Sequence, residues 1–366
     1  MSPEGYKVCP GFKSAGGWRR PQKYSRAAGG SNILQALLCG CARLRVNSMR
    51  DRQIDRAIDP TTAKGIGSEP AYSGVPSLFR RRFSTTPENA DIAVLGVPLD
   101  LATTNRPGAR FGPRAVRAAS TNLSWKGAPW PWDFDPFVVL EVTDCGDCFF
   151  DPGRPTEIVP AIEARATDLM SQGASLMSIG GDHFVSYPLL RALHKIHGPV
   201  ALVHFDAHTD TWRDDGSRMD HGSMFYRAFK EGLVAPEHSA QIGIRTHNPE
   251  SFGYTIIYAD FVHQEGPVAV AERVLEVVGD HPAYLTFDID CLDPAFAPGT
   301  GTPVVGGLSA WQAQSILRRL GPINFVGTDL VEVAPPYDHA DITALAGASL
   351  LLDYLCLRAK QLQAPD

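Results

Sequence analysis

Eight apolar runs recur along residues 90–333, and segments with helical periodicity separate several of them. The runs lie at 91–97, 137–144, 174–180, 200–206, 240–245, 254–259, 283–290 and 323–333. The helical patterns lie at 156–172, 184–197, 266–279, 309–320 and 341–361. Strands that alternate with helices indicate βαβ crossovers and a mostly parallel sheet with helices on both faces. We therefore predict a three-layer α-β-α fold.

The same pattern predicts one domain over residues 90–366, because no repeat or linker interrupts it. A chain of 366 residues with 44% hydrophobic and 20% charged residues is large enough for one sizeable α/β core. Residues 49–89 are polar and rich in Pro and Gly, and we expect an N-terminal arm across the domain surface. Seven cysteines do not suggest a disulfide framework, which favours a reducing compartment.

The first 48 residues differ from the rest in charge. They hold eight Lys or Arg against one Glu, a local net charge of +7. Because the net charge of the whole chain is −6, the remaining residues carry a net charge of −13. One interpretation is an Arg-rich organelle transit peptide, which would make the protein mitochondrial. The other is untranslated upstream sequence with Met49 as the true start, which we favour because residues 1–17 form no amphipathic helix. We expect a cytoplasmic protein.

Polar clusters follow four of the predicted strands at the point where each strand ends. They are "GGDHF" (180–184), "DAHTD" (206–210), "DID" (288–290) and "VEV" (331–333). In open α/β sheets, ligands bind beyond the carboxyl ends of the strands. Parallel strands open onto one edge, so these four clusters are predicted to share one site.

The clusters carry side chains that bind metals. The six candidate ligands are His183, Asp206, His208, Asp210, Asp288 and Asp290. Their period of two would place the members of each cluster on one side of an extended segment. Four converging carboxylates would repel one another unless two divalent cations balanced them. A ligand set of carboxylate oxygens and imidazoles without a thiolate favours two Mn²⁺ ions over a structural zinc ion. Two such ions would lower the pKa of a water molecule bound between them. His204 has the same parity but lies earlier in its run, and we interpret it as structural.

Several motifs resemble the signatures of the ureohydrolase family, which includes arginase and agmatinase. They are "GGDHF", "FDAHTD", "DHGSMF" and "TFDIDCLDPAFAPGTGTP", and the resemblance covers roughly residues 90–360. The segments "TNRPGARFGP", "STNLSW" and "EVAPPYD" are most similar to bacterial agmatinase. The resemblance implies an arginase- and deacetylase-like fold, an enzyme that hydrolyses a guanidino C–N bond, and a homo-oligomer, either a trimer or a hexamer.

The resemblance also implies a role for each site residue. It assigns one manganese to His183, Asp206, Asp210 and Asp288, and the second to Asp206, His208, Asp288 and Asp290. Glu332 matches the acid that binds the guanidinium, and His221 matches the proton shuttle. A metal-bridging hydroxide would attack the guanidinium carbon. All six ligand positions are filled, which argues against a degenerate relative or a non-catalytic binding protein.

The expected substrate is agmatine, which would be cleaved to putrescine and urea in polyamine biosynthesis. Arginase places an Asn two residues after the "DAHTD" aspartate to read the substrate carboxylate, and this chain has Trp212 there. An indole wall with acids nearby suits a decarboxylated substrate with an ammonium end. Asn122 and Trp125 are further candidates for the walls of the substrate pocket.

Other activities stay open from the residues alone. A guanidinobutyrase or another ω-guanidino acid ureohydrolase would need a cation at the far end, for which Arg106, Arg110 and Arg213 are candidates. A zinc deacetylase-like hydrolase would use one metal and fewer carboxylates. The net charge and the absence of a membrane-length apolar run predict neither a nucleic-acid nor a membrane partner. Cys145 and Cys148 of "CGDC" are interpreted as structural, and residues 299–307 as a flexible lip beside the metals.

Overall fold

A computed structural model describes residues 71–124 and 127–363. The predictions for residues 1–48, for the first part of the arm and for Trp125 lie outside the described residues. The described chain contains one sheet of nine strands. The strands are Arg82–Phe83 (β1), Ile92–Val97 (β2), Val142–Asp147 (β3), Ser175–Gly180 (β4), Ala201–Phe205 (β5), Ala240–Ile244 (β6), Thr255–Tyr258 (β7), Ala283–Asp288 (β8) and Phe325–Val331 (β9).

The strand order is β1-β3-β2-β4-β9-β8-β5-β6-β7, and every neighbouring pair is parallel. The α-helices are Gly112–Ser120 (α1), Pro136–Val139 (α2), Pro155–Ser171 (α3), Ser186–His197 (α4), Met224–Lys230 (α5), Ala259–Val278 (α6), Ala310–Leu317 (α7) and Ile342–Gln363 (α8). One core cluster packs α1, α6, α7 and α8 on the sheet, and a second packs α3, α4 and α5. The predicted three-layer α-β-α fold is confirmed.

The last helix, α8, is long and apolar enough to cross a membrane by composition alone. Most of that apolar stretch is buried against the sheet, with residues such as Leu351 and Leu355 in the core. Burial of this apolar surface accounts for the composition of α8 as that of a core helix.

Three local predictions differ from the structure. The run at 137–144 is not one strand, because its first residues form the short helix α2. Pro136 begins this helix, and Asp135 caps it, with its Oδ1 accepting from the Phe137 N–H at 2.9 Å. Helix α6 begins at residue 259 rather than 266, since Gly266 interrupts its periodicity with a φ of 79°. Within the predicted surface arm, residues 78 and 79 are buried and 82–83 pair with β3.

The register of the central strands aligns five polar side chains in one row across β4, β9, β8, β5 and β6. Ser178 pairs with Asp329, Asp329 with Thr286, Thr286 with His204, and His204 with Gln241. All five are fully buried. Successive residues alternate between the faces of a strand, so this row faces the same side as the residues two positions further along. Those residues are Asp206, directly after β5, and Asp288, the last residue of β8, so the row lies next to the predicted metal ligands.

Candidate metal centre

The structure brings the predicted ligands together where the central strands end. His183 follows β4 at the start of a 3-10 helix, and its Nδ1 faces three carboxylates. That nitrogen lies 3.0 Å from Asp206 Oδ2, 2.9 Å from Asp210 Oδ2 and 3.1 Å from Asp288 Oδ2. Its Nε2 lies 2.8 Å from the Thr286 hydroxyl, which fixes the ring. Donor atoms about 3 Å apart match the edges of a metal coordination sphere with bonds of about 2.1 Å.

A second group of donors shares Asp206 with the first. The Nδ1 of His208 lies 3.2 Å from Asp206 Oδ1 and 3.1 Å from Asp290 Oδ2. Asp290 Oδ1 accepts from the Ala207 N–H at 3.1 Å, and the Thr302 hydroxyl donates to Asp290 Oδ2 at 3.2 Å. Asp206 therefore has one oxygen in each group, as a bridging carboxylate must.

The ligand segments turn rather than continue as strands, which differs from the predicted extended geometry. Asp206 Oδ1 accepts from the His208 N–H at 2.6 Å, and Asp288 Oδ1 accepts from the Asp290 N–H at 2.8 Å. Each contact is a turn closed by the Asp side chain. Asp210 has a φ of 52°, a region that few non-glycine residues adopt. The turns and this strained residue bring the ligands together although the segments are not extended.

The electrostatics of this cluster call for cations. Burial and the neighbouring carboxylates raise the pKa of Asp288 well above its ordinary value, and the same causes raise the pKa of Asp210. His183 Nδ1 is buried and has no hydrogen bond of acceptable geometry within the described residues. A divalent cation would relieve the repulsion and give this nitrogen a partner. The donor set, made of carboxylate oxygens and imidazoles, fits a metal ion.

Glu332 lies beside the metal cluster, and only one of its two carboxylate oxygens has hydrogen-bond partners within the described residues. Its Oε1 accepts from the His183 N–H at 2.9 Å and lies 2.8 Å from His221 Nδ1. Its Oε2 is buried and has no partner within the described residues. A Cβ at Gly301 would lie 3.1 Å from Oε2, so the glycine keeps this oxygen uncrowded. Glu332 also has a φ of 62°, so backbone strain accompanies this placement. The side chain offers one buried acceptor to a cationic donor.

His221 has a partner for each protonation state of its ring. Its Nε2 lies 3.1 Å from the Thr104 N–H, which serves the neutral ring, and 3.0 Å from the Thr104 hydroxyl, which can accept from the cation. Burial opposes the charged ring, but the carboxylate of Glu332, helped by Asp210 and Asp182, raises the pKa of His221 to about 9. A ring with a partner in both states is suited to moving a proton.

The sequence prediction missed the residues that support His221. Asp182 accepts from the Ala102 N–H at 2.8 Å, and Asp100 accepts from the Gly108 N–H at 2.8 Å. These two bonds hold the loop that carries Thr104. Asp182 stands inside the "GGDHF" motif at a strand end, which was a usable signal. Thr104 lies in a loop with no such signal.

A cavity of about 410 Å³ opens onto the metal cluster. Trp212 lines it with half of its surface exposed, beside Asp214, Asp220 and Arg213. The Arg213 guanidinium binds both oxygens of Glu250 at 2.6 Å. The structure therefore places Trp212 in the wall of the cavity next to the metal-ligand candidates, and the Arg213 guanidinium is bound to a carboxylate of the protein.

The other two candidate arginines are also engaged. Arg110 Nε donates to Asp100 Oδ1 at 2.5 Å, within an ion pair. The Arg106 guanidinium lies 5.2 Å from the centre of the Tyr337 ring, at cation–π distance. Each of the three arginines thus has a partner within the described chain.

Asn122 does not lie where we predicted. It lines a separate cavity of about 420 Å³ with Trp130, Phe137 and Asp353, and the residues that line this cavity include no metal-ligand candidate. Helix α1 begins at Gly112, beside the ends of β4 and β9, and leads away from them. Residue 122 follows the end of α1, so the helix carries it away from the metal cluster.

The remaining motifs have structural surroundings. Cys145 and Cys148 are both free and buried, and burial raises the pKa of each thiol to about 11, so neither is a reactive thiolate. The lip at 299–307 reaches the site through Gly301 and Thr302. Its first residues are largely buried, whereas Val305 is exposed.

Comparison with known proteins agrees with this geometry. The model of the arginase family matches residues 90–356. The chain is 50% identical to an agmatinase of Chromobacterium violaceum over 313 residues, which cover 84% of this chain and 97% of that relative.

Two solved structures are similar. A hypothetical agmatinase from Burkholderia thailandensis has a TM-score of 0.80 and 51% identity, with 84% of this chain and 97% of that chain covered. The proclavaminate amidino hydrolase of Streptomyces clavuligerus has a TM-score of 0.77 and 35% identity, with 80% and 100% covered. The resemblance found in the motifs is thereby confirmed, and the chain belongs to the arginase family.

Proposed function

We propose that this enzyme hydrolyses agmatine to putrescine and urea with two bound Mn²⁺ ions. The observation that carries the proposal is a buried carboxylate oxygen, Glu332 Oε2, without a partner in the described chain beside the six clustered ligands. A guanidinium is the planar cation that such a carboxylate binds best. Relatives at about 50% identity that carry the name agmatinase support this substrate.

The two ions would be held by His183 and Asp210 on one side and by His208 and Asp290 on the other. Asp206 and Asp288 would help to hold them. Hard oxygens with two imidazoles and no thiolate suit Mn²⁺. When bound, the ions lower the pKa of water, so that hydroxide is present near neutral pH.

The protein's own residues then do three things. Glu332 Oε2 accepts N–H bonds from the guanidinium and orients its carbon toward the metal side of the cavity. Water adds to that carbon, and the bond from the carbon to the chain nitrogen breaks. The leaving amine must gain a proton, and the His221 ring, 2.8 Å from Glu332, is placed to deliver it. Thr104 stabilises the ring before and after this transfer.

The far end of the cavity favours an ammonium over a carboxylate. Arg213, in the cavity wall, is neutralised by Glu250, and Arg110, which lines another cavity, is neutralised by Asp100. Trp212 offers an indole face, to which an ammonium is attracted. The cytoplasmic location and the oligomer stay predictions.

The proposal is tested by urea release from the Mn²⁺-loaded protein, with agmatine, arginine and 4-guanidinobutyrate at equal concentration. We expect a strong preference for agmatine. Asn122→Ala is the matched control and should keep wild-type rates, since this residue lines another cavity. Preference for 4-guanidinobutyrate would overturn the substrate, and no urea from any of the three would overturn the reaction.

Trp212→Ala is expected to raise KM for agmatine about two- to fivefold with a smaller change in kcat, because a cation–π contact at a half-exposed indole contributes about 0.5–1 kcal/mol. Steady-state kinetics measure both parameters. Trp130→Ala removes an indole from the other cavity and should change neither. A KM unchanged by Trp212→Ala would remove this residue from the substrate site.

The pH profile of kcat is expected to fall above about pH 9. The carboxylate of Glu332 overcomes burial and raises the pKa of His221 to about 9, so the protonated ring persists up to that pH and is lost beyond it. Since only the protonated ring can donate a proton to the leaving amine, kcat falls over the same pH range in which the ring loses its proton. Rates measured from pH 7 to 10.5 check this, and a flat profile to pH 10.5 would contradict the role of His221.

A further inference from the structure

His204 and Gln241 form a buried pair beneath the metal cluster that the reaction above does not use. His204 lies within β5 and is completely buried, and its register partner in β6 is Gln241. The ring packs edge-on against Phe225, with centroids 4.7 Å apart, and against His183 at 5.1 Å. The His204 ring is therefore buried and also held in place by these aromatic contacts.

The orientation of the Gln241 amide follows from its neighbours. Its Nε2 lies 2.7 Å from the Thr209 carbonyl oxygen and 3.0 Å from His204 Nδ1. A carbonyl oxygen only accepts hydrogen bonds, so the amide atom that faces Thr209 must be the nitrogen. The same nitrogen then directs its second hydrogen at the imidazole.

That amide hydrogen determines which nitrogen of His204 carries a proton. Nδ1 accepts from Gln241, so the ring hydrogen of the neutral imidazole is on Nε2. Nε2 lies 2.7 Å from Asp206 Oδ2 and donates to it. The chain of bonds runs from Gln241 through His204 to the carboxylate that has one oxygen in each ligand group.

The same assignment excludes His204 as a direct metal ligand, although it lies close to His183, Asp206 and Asp210. A ligand nitrogen must offer a lone pair to the ion, and Nε2 carries hydrogen while Nδ1 is used by Gln241. His204 would bind metal only with the opposite tautomer, whose Nδ1–H would point at the N–H of Gln241.

We propose that Gln241 is a positioning residue for the metal centre and acts through the tautomer of His204 on the orientation of Asp206. This inference rests on the proposed metal pair but not on the proposed substrate. Groups that hydrogen-bond to metal ligands orient them, and their removal typically weakens metal binding about 10- to 100-fold.

The test is a double-mutant cycle read by Mn²⁺ titration of the metal-free protein, without any guanidino substrate. Gln241→Met and His204→Phe are each expected to weaken binding about tenfold or more. The double variant is expected to bind no more than about threefold more weakly than His204→Phe, because Gln241 has no route to Asp206 without the imidazole. Tyr284→Phe is the control on the same sheet face, since its hydroxyl bonds to Asp329, and it should bind Mn²⁺ as the wild type does.

Thermal melting of each metal-free variant shows that it is folded, and Gln241→Leu replaces Gln241→Met if the latter does not fold. Wild-type affinity in the Gln241 variant would overturn the proposal. Fully additive losses would also overturn it, because Gln241 would then act through Thr209. If His204→Phe alone bound one Mn²⁺ ion fewer than the wild type, His204 would be a metal ligand, and the proposal would again be overturned. A wild type that binds two ions but releases no urea leaves this inference standing and removes the proposed function alone.

Discussion

Asp288→Asn should lower turnover to below about 0.1% of wild type, a loss of more than about 4 kcal/mol in transition-state stabilisation. Asp288 Oδ2 lies 3.1 Å from His183 Nδ1, and its Oδ1 forms the turn to Asp290. An amide can keep that turn through its oxygen, but it removes a negative charge that would help to hold the cations. Urea release and the metal content of the purified protein measure the two consequences, and metal content should fall as well.

The same substitution should stabilise the metal-free protein. Burial and nearby carboxylates raise the pKa of Asp288 above its unfolded value, so its ionised form costs folding stability at pH values above that unfolded value. A neutral amide removes this cost, and the melting temperature of the metal-free variant should rise at pH 8.

Asp353→Asn is the matched control at a buried carboxylate elsewhere. Asp353 accepts from Arg318 at 2.8 Å and from Trp132 at 2.8 Å. Because Asp353 lines another cavity, its replacement should leave metal content and turnover unchanged. Full turnover of Asp288→Asn with unchanged metal content would refute the role of Asp288 in holding the metal ions.

The candidate metal ligands could be located from sequence because polar side chains that follow the strands of a parallel sheet lie at one shared edge. Apolar runs locate the strands, and an Asp or His that follows a run must lie at the shared edge. This reasoning needs no strand order, since the carboxyl ends of all parallel strands face one way. It therefore predicted that His183 and Asp288 lie together, and the structure brings their side chains within 3.1 Å although their segments turn instead of extending.

The supporting residues could not be found in this way. Thr104 reaches His221 from a loop 117 residues away, and Gln241 meets His204 only because β5 and β6 are neighbours in a particular register. Neither strand order nor register follows from periodicity. Asn122 shows the opposite error, because its position within the matching segment "STNLSW" suggested a place in the substrate pocket that the direction of α1 excludes.

Glu332→Gln should reduce kcat/KM for agmatine by about 10²- to 10⁴-fold while two ions stay bound. Truncating one partner of a buried charge pair costs about 3–5 kcal/mol, and each 1.36 kcal/mol is tenfold. A glutamine oxygen can still accept from the His183 N–H, so the cluster is preserved. Its NH₂ group, however, would meet the N–H donors of the guanidinium, and two donors repel.

A second consequence separates this variant from one that only distorts the site. The carboxylate of Glu332 is the main group that raises the pKa of His221 to about 9 against burial. Without this carboxylate, the His221 ring loses its proton at lower pH, and the alkaline limb of the pH profile, over which kcat falls, should shift to lower pH. Glu231→Gln, at a carboxylate that pairs with Arg191 instead, should change neither the rate nor the limb. A kcat/KM within threefold of wild type, or a lowered rate with the limb unmoved, would contradict the placement of Glu332 between guanidinium and imidazole.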